Sequence, residues 1–126
     1  MSLMPHEYVI HRFDSTDKIP IGLLINEPMY HISKTEDELS IVCRSSILLA
    51  SKKISKLYKC LKILGPLDFE LVGIISRVAE ILKNKAIPIF VISTFDTDYI
   101  LINKNEVTAS IKALSEDEYI SIKNTY

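Results

Sequence analysis

Residues 65–73 read GPLDFELVG and residues 87–102 read IPIFVISTFDTDYILI. Between the two segments, apolar side chains recur at helical spacing: Leu71, Ile74, Ile75, Val78, Ile81 and Leu82. The first segment therefore predicts the end of a strand followed by the start of an amphipathic helix. The second predicts a buried strand that turns at residues 95–98 and runs back as another strand.

The flanking sequence extends this pattern on both sides. Residues 57–64 predict a strand before the helix. Asn103, with Glu106 three residues later, resembles a capping box and predicts a helix through Leu114. Alternation over residues 119–123 predicts a strand that closes the sheet. The second half thus reads strand, helix, strand, strand, helix, strand.

The first half predicts a weaker copy of the same order. Strands are expected over residues 7–13, 29–34 and 39–44, with a solvated hairpin turn at 35–38. Pro20 and Gly22 allow only a short helix in 19–25, and a second short helix is expected over 46–56. We therefore predict an α+β protein of two units, residues 1–60 and 61–126, which pack together because each alone buries a marginal core.

Composition excludes several classes of function. The 126 residues include 15 basic and 16 acidic side chains, a formal net charge of -1, which gives no electrostatic reason to expect nucleic acid or an anionic membrane as a partner. No apolar run approaches the roughly 18 residues that a membrane span requires. The N-terminal residues also lack the apolar core of a secretory signal. Cys43 and Cys60 lie in apolar runs without a C-x-x-C motif, which predicts buried thiols in a reducing cytoplasm rather than a disulfide.

Motifs for chemistry are missing from the sequence. His6, His11 and His31 do not have the spacing of metal ligands, so no metal site is expected. The chain contains no nucleophile-elbow sequence and no Walker or dinucleotide glycine pattern. We therefore predict a protein that is not an enzyme and uses no cofactor.

Binding chemistry is concentrated in the two segments quoted first. A helix that starts near Phe69 leaves its first amides unpaired and partly positive, and Gly73 removes a Cβ that would obstruct an anion. The alternative is that Asp68 only caps the helix and Gly73 packs against a strand. Asp96 and Asp98 suit an ammonium or a guanidinium, or else they make hydrogen bonds within the turn. Amides beside acids suggest a site for an amino-acid zwitterion.

Several of these residues resemble an ACT domain. The order βαββαβ, with residues 65–73 between the first strand and helix, is similar to that family. Residues 92–102, ISTFDTDYILI, and residues 35–43, TEDELSIVC, resemble a small bacterial and archaeal family of tandem ACT proteins. That family is related to the regulatory domains of aspartate kinase and to the animal cytosolic arginine sensors. The resemblance covers nearly the whole chain.

The resemblance implies a ferredoxin-like fold in two packed ACT-like units, the first of them degenerate. It also implies a regulatory, allosteric role in which a small amino acid binds at an interface between ACT units. The implied ligand contacts are Asp68, Phe69, Glu70, Val72, Gly73, Ile74, Ser93, Thr94, Phe95, Asp96 and Asp98. Val72 stands where the family often has threonine.

The same resemblance implies a homodimer and, as a partner, an amino-acid biosynthetic enzyme. Two other functions stay open at this point. One is an interaction module that regulates or scaffolds a partner enzyme without a ligand. The other is a ferredoxin-like RNA binder, which is disfavoured because Phe90 lies in a wholly apolar run and the charge is balanced.

Overall fold

A computed structural model of the chain describes residues 1–63 and 70–124. Its elements are β1 (Ser2–Phe13), α1 (Ile21–Leu24), β2 (His31–Lys34), β3 (Leu39–Arg44), β4 (Lys53–Ile54), β5 (Tyr58–Lys62), α2 (Glu70–Asn84), β6 (Phe90–Ser93), β7 (Asp98–Asn103), a 3-10 turn (Lys104–Glu106), α3 (Val107–Ser115) and β8 (Lys123–Asn124). The mainly antiparallel strands and few helices confirm the predicted α+β class. The chain divides into two compact units, His6–Leu57 and Met1–Pro5 with Tyr58–Tyr126.

The unit His6–Leu57, called the N-terminal unit below, is built on antiparallel pairing of β3 with both β1 and β2. Strand alternation places Val9, His11 and Phe13 on one face of β1, opposite Cys43, Ile41 and Leu39 of β3. The apolar members of this set form a core with Leu24, the one buried residue of α1. The turn at 35–38 is local, since Thr35 Oγ1 accepts from the amides of Asp37 and Glu38, both at 3.2 Å.

The short helix predicted over 46–56 is wrong. The amides of Lys52 and Ser55 instead donate to the carbonyls of Arg12 and Ile10 at 3.0 and 2.9 Å, and Lys53–Ile54 forms β4 beside β1. Leu48, which lies in this stretch, is 86% exposed. Backbone groups in this segment therefore bond laterally to a strand about 40 residues away, a pairing that local spacing does not encode.

The C-terminal unit, Met1–Pro5 with Tyr58–Tyr126, has the expected strand and helix order. Its antiparallel strands lie in the order β5-β7-β6, with Cys60 opposite Leu101 and Ile92 opposite Tyr99. Helix α2 buries Val78 and Leu82 and leaves Ser76, Arg77 and Glu80 exposed, as its amphipathic pattern predicts. The core is completed by side chains from β5, the residue after it, β7, α3 and the start of β1, namely Leu61, Ile63, Ile100, Ile102, Leu114 and Leu3.

Helix α2 ends in a Schellman motif that shortens the next strand. The Ile87 amide donates to the Leu82 carbonyl and the Ala86 amide to the Lys83 carbonyl, both at 2.9 Å. Ala86 takes the left-handed conformation that this motif requires, with φ of 57°. Residues 87–89 follow the motif and include Pro88, so the strand predicted over 87–93 begins only at Phe90.

Two other expectations are met in part. Asn103 caps the turn before α3 by accepting from the Asn105 amide at 2.9 Å, whereas buried Oε2 of Glu106 has no partner among the described residues. The closing strand predicted over 119–123 is wrong in its extent, because only Lys123–Asn124 pairs, in parallel with Ser2 and Leu3. Asp117 accounts for the difference, since it organises a turn whose Ile120 amide donates back to its carbonyl at 3.3 Å. None of the described helices has the length and apolar run needed to cross a bilayer.

Candidate ligand site

The β6–β7 hairpin is held together by its own polar side chains. Thr94 Oγ1 donates to the Thr97 carbonyl at 3.0 Å and accepts from the Thr97 amide at 3.3 Å. Ser93 Oγ donates to Oδ1 of Asp98. Three of the predicted ligand contacts, Ser93, Thr94 and Asp98, therefore have hydrogen-bond partners within the hairpin.

The tip of the hairpin is open to solvent. Phe95 is 98% exposed, although phenylalanine is among the residues most often buried in protein cores. Asp96 is also exposed, and its carboxylate has no partner in the part of the chain that the structure describes. Asp96 is therefore the hairpin acid whose charge is available to a ligand.

Thr97 is a functional candidate that the sequence did not indicate. It is buried, and its hydroxyl donates to the carbonyl of Ile63. The Ile63 amide in turn donates to the Asp98 carbonyl at 2.9 Å. The hairpin thus binds both backbone polar groups of Ile63, the last described residue before segment 64–69. No local pattern signals this contact, because its partners lie 34 residues apart.

The helix half of the predicted site is described from its first turn onward. Asp68 and Phe69 lie outside the described residues, and Glu70 and Val72 are described only as backbone of α2. Gly73 is exposed, and a Cβ built on it would meet nothing within 4 Å. Gly73 therefore does not pack against a strand, which removes one of the two interpretations of this glycine. Ile74 is half-buried against the core of the unit.

Gly73 and Ile74 line a cavity of about 360 Å³ with Arg77 and Tyr119. Arg77 Nε donates to Oδ2 of Asp117 at 2.7 Å, and its guanidinium carbon lies 4.5 Å from the centroid of the Tyr119 ring. The hydrogen bond from Arg77, followed by one from the Tyr119 amide, lowers the pKa of the Asp117 carboxyl, and the same bond to Asp117 raises the pKa of Arg77. Local sequence patterns do not indicate Arg77, Asp117 or Tyr119 as site residues, since Arg77 meets Asp117 across 40 positions of the chain.

The structure therefore groups the predicted residues into two sets. Gly73 and Ile74 face the cavity with Arg77 and Tyr119, while Ser93–Asp98 form the hairpin that is tied to Ile63. No hairpin residue is among the described residues lining that cavity. No group of three histidine, cysteine or acidic side chains that could hold a metal occurs in the described ranges.

Comparison with known proteins decides the family. A family model described as an ACT domain matches residues 53–116, just over half of the chain. This chain belongs to the ACT-domain family. ACT domains are typically regulatory rather than catalytic, and membership indicates a regulatory, small-ligand-binding role in general. The strand and helix order of the C-terminal unit fits the ferredoxin-like fold expected for this family.

Three further similarities cover the first part of the chain or nearly all of it. A second family model, described as an N-terminal domain, matches residues 6–48. The crystal structure of a protein from Agobacterium tumefaciens is similar over 99% of this chain and 92% of its own, with 28% identity and a TM-score of 0.88. A Vibrio cholerae protein of unknown function, described as a possible transport protein, shares the fold with 22% identity and a TM-score of 0.70 over 90% of this chain and 85% of its own. No curated protein sequence matches this chain.

Proposed function

We propose that this ACT-domain protein binds a small amino acid and reports its presence to a partner, without catalysing a reaction. The observation that carries the proposal is the attachment of the hairpin to Ile63. The Thr97 hydroxyl donates to the Ile63 carbonyl, and the Asp98 carbonyl accepts from the Ile63 amide. The hairpin therefore lies beside Ile63, where β5 leads into segment 64–69 and then α2. Both predicted halves of the site belong to the C-terminal unit, which is what the proposal requires.

The charges of the two halves suit a zwitterion. The first turn of α2 offers backbone amides to a carboxylate, and exposed Gly73 leaves room for its approach. The unpaired carboxylate of Asp96 is complementary to an ammonium. We propose that Asp68, Phe69, Glu70, Val72 and the hairpin residues complete this ligand shell.

An interface between ACT units is the proposed location of the site, and a second copy is the proposed partner. In the order β5-β7-β6, the edge strand β6 pairs only with β7 among the described strands, and it exposes Phe90 and Val91. An open edge with apolar side chains favours association with another chain. A ligand bound between units then stabilises one packing over another, which is the physical basis of regulation.

The finer relationships are also part of the proposal. We infer a tandem ACT organisation in which residues 1–60 form a degenerate unit and residues 61–126 the binding unit. The proposed setting is the cytoplasm, where an amino-acid biosynthetic enzyme is the regulated partner, as for the regulatory domains of aspartate kinase and the arginine sensors. Balanced charge argues against nucleic acid as the partner.

A second candidate function is an interaction module without a ligand. Its supporting observation is that Ser93, Thr94 and Asp98 bond to one another or to the hairpin backbone, while Phe95 is almost fully exposed. An exposed aromatic side chain at a turn suits contact with a protein surface. On this account, the hairpin binds a partner enzyme directly.

Thermal unfolding with each of the twenty amino acids separates the two functions. A ligand present at about 100 times its Kd stabilises the folded state by about 2.7 kcal/mol, so its Tm shift is readily measured. Asp96→Asn should weaken the shift, whereas Asp37→Asn, which changes an exposed turn acid of the N-terminal unit, should not. A panel in which no amino acid shifts the wild-type Tm favours the interaction module.

Sedimentation tests the proposed homodimer independently of the ligand. We expect a dimer at high protein concentration and a monomer for Val91→Lys, which places a charge on the edge strand. A wild-type chain that remains monomeric at high concentration would remove the dimer from the proposal.

A further inference from the structure

We propose that Arg77 joins the first-turn amides of α2 in holding the carboxylate of the bound ligand and that Tyr119 forms the wall against its side chain. This inference rests on the proposed binding of a small amino acid and names two contacts that the sequence did not indicate. Its basis is the cavity of about 360 Å³ that Arg77 and Tyr119 share with Gly73 and Ile74. That volume falls within the range of small-molecule sites in proteins.

Arg77 is held in place before any ligand arrives. Its Nε donates to Asp117, and Asp117 is itself fixed because its carboxylate accepts from the Tyr119 amide at 2.8 Å and its own amide donates to the Leu114 carbonyl at 3.1 Å. The Tyr119 ring covers one face of the guanidinium. An arginine fixed in this way loses little side-chain entropy when it binds a ligand.

The free edge of the guanidinium matches a carboxylate. The contact with Asp117 uses Nε, and neither terminal nitrogen of Arg77 has a hydrogen-bond partner in the described ranges. Two parallel N–H groups on a planar guanidinium form a fork that binds a carboxylate through two hydrogen bonds. Exposed Gly73 leaves the approach to this edge open.

The surrounding charges favour a zwitterion over a simple anion. Asp117 balances the charge of Arg77, and Glu80 lines the adjoining cavity of about 450 Å³ with both residues. A ligand with only a negative charge would therefore meet two carboxylates close to its binding group. An amino acid also carries a positive charge, which offsets this repulsion, while Ile74 and the Tyr119 ring suit an apolar side chain.

Substitution of Arg77 tests the inference. We expect Arg77→Gln to weaken binding of the amino acid that gives the largest wild-type Tm shift by about tenfold or more, because a charge-assisted hydrogen bond is lost. Arg77→Lys should retain part of the affinity, since it keeps the charge but not the fork. The matched control is Lys83→Gln, which changes an exposed cation of α2 that lines neither of the two cavities described above.

A second readout separates binding from folding. In wild-type protein, the Arg77 Nε–H NMR signal should move saturably with the amino acid and less with the corresponding amine that lacks the carboxylate. The inference is overturned if Arg77→Gln and Lys83→Gln bind the amino acid equally well, while the proposed function then stands.

The proposed function can also fail by itself. If no amino acid shifts the wild-type Tm, two zwitterionic dipeptides, glycylglycine and glycylleucine, are titrated against the Arg77 signal. A saturable movement that persists in Lys83→Gln supports a carboxylate site at Arg77 without binding of a free amino acid. The absence of any movement up to the solubility limit overturns the inference as well.

Discussion

The hydroxyl of Thr97 donates a hydrogen bond to the backbone carbonyl of Ile63, 34 residues earlier in the chain. The bond is buried, and it joins the turn of the β6–β7 hairpin to the end of β5. The bond fixes Ile63, the last described residue before segment 64–69. We expect Thr97 to act as a positioning residue of the proposed site, one that does not have to touch the ligand.

Replacement of Thr97 by valine should destabilise the protein by about 1–3 kcal/mol, because the shape is kept while the buried Ile63 carbonyl loses its partner. Thr97→Ser is the control, since it keeps the hydroxyl. Urea unfolding of the three proteins measures the difference. Equal stability of Thr97→Val and wild type would show that the hydrogen bond does not stabilise the fold.

Replacement of Ala86 by glycine should stabilise the protein. Ala86 has φ of 57°, where a Cβ costs about 1–2 kcal/mol, and glycine removes this cost. Glycine also raises the entropy of the unfolded chain, which lowers stability by about 0.4–1 kcal/mol. The expected net gain is about 0.5–1 kcal/mol in guanidinium unfolding. Ala109→Gly, at an exposed helical position of α3, should destabilise by about 1 kcal/mol, so the two variants must move in opposite directions.

His11 should make the stability of the N-terminal unit depend on pH. It is 1% exposed, its Nδ1 lies 2.7 Å from Ser51 Oγ, and its Nε2 has no partner in the described ranges. Burial lowers its pKa below 6.5. Below pH 6.5 the unfolded state therefore binds more protons than the folded state, so the free energy of unfolding falls as pH falls toward the folded pKa, by at most about 1.4 kcal/mol per pH unit.

Comparison with His11→Leu isolates this effect from that of other groups. The unfolding free energies of both proteins are measured between about pH 8 and pH 5. The wild-type value should fall relative to that of His11→Leu as pH falls, because only wild type loses the histidine contribution. Hydrogen exchange at Val9 and Ile41, which lie on the same face as His11, should report the same change. Parallel pH profiles for the two proteins would contradict the prediction.

Local periodicity predicted the parts of the fold that depend on neighbouring residues. Helix α2, the hairpins and strand β7 follow from the spacing of apolar residues, which repeats within about 10 to 20 residues, roughly the length of a single element. The helix predicted over residues 46–56 is wrong because amides of this segment bond to the carbonyls of Arg12 and Ile10 in β1. Periodicity cannot reveal such lateral pairing, and it favoured a helix where the structure has a short strand.

The candidate site shows the same limit. Gly73, Asp96 and the hairpin hydroxyls are visible in the sequence because glycine, acids and turn residues have local meanings. Thr97, Arg77 and Tyr119 are not, because each acquires its role from a partner 34 to 42 residues away. The two cysteines were predictable, since apolar flanking residues already placed them in the core, where both are buried free thiols.

These thiols should be chemically inert in the folded protein. Burial raises the pKa of Cys43 to about 11 and that of Cys60 to about 12, so almost no thiolate exists at neutral pH. Reaction with Ellman's reagent should be slow in native buffer and rapid in denaturant, where two cysteine thiols per chain should react. Rapid modification of either cysteine in native buffer would mean that its unit opens frequently.

Amino-acid binding at the end of β5 is tested most directly by a two-dimensional amide NMR titration of the wild-type protein with each of the twenty amino acids. We predict that at least one amino acid moves the amide signals of residues 93–98 and 73–77 saturably, while signals of the N-terminal unit change little. Absence of a saturable change with any amino acid, or changes confined to residues 6–57, would contradict the account.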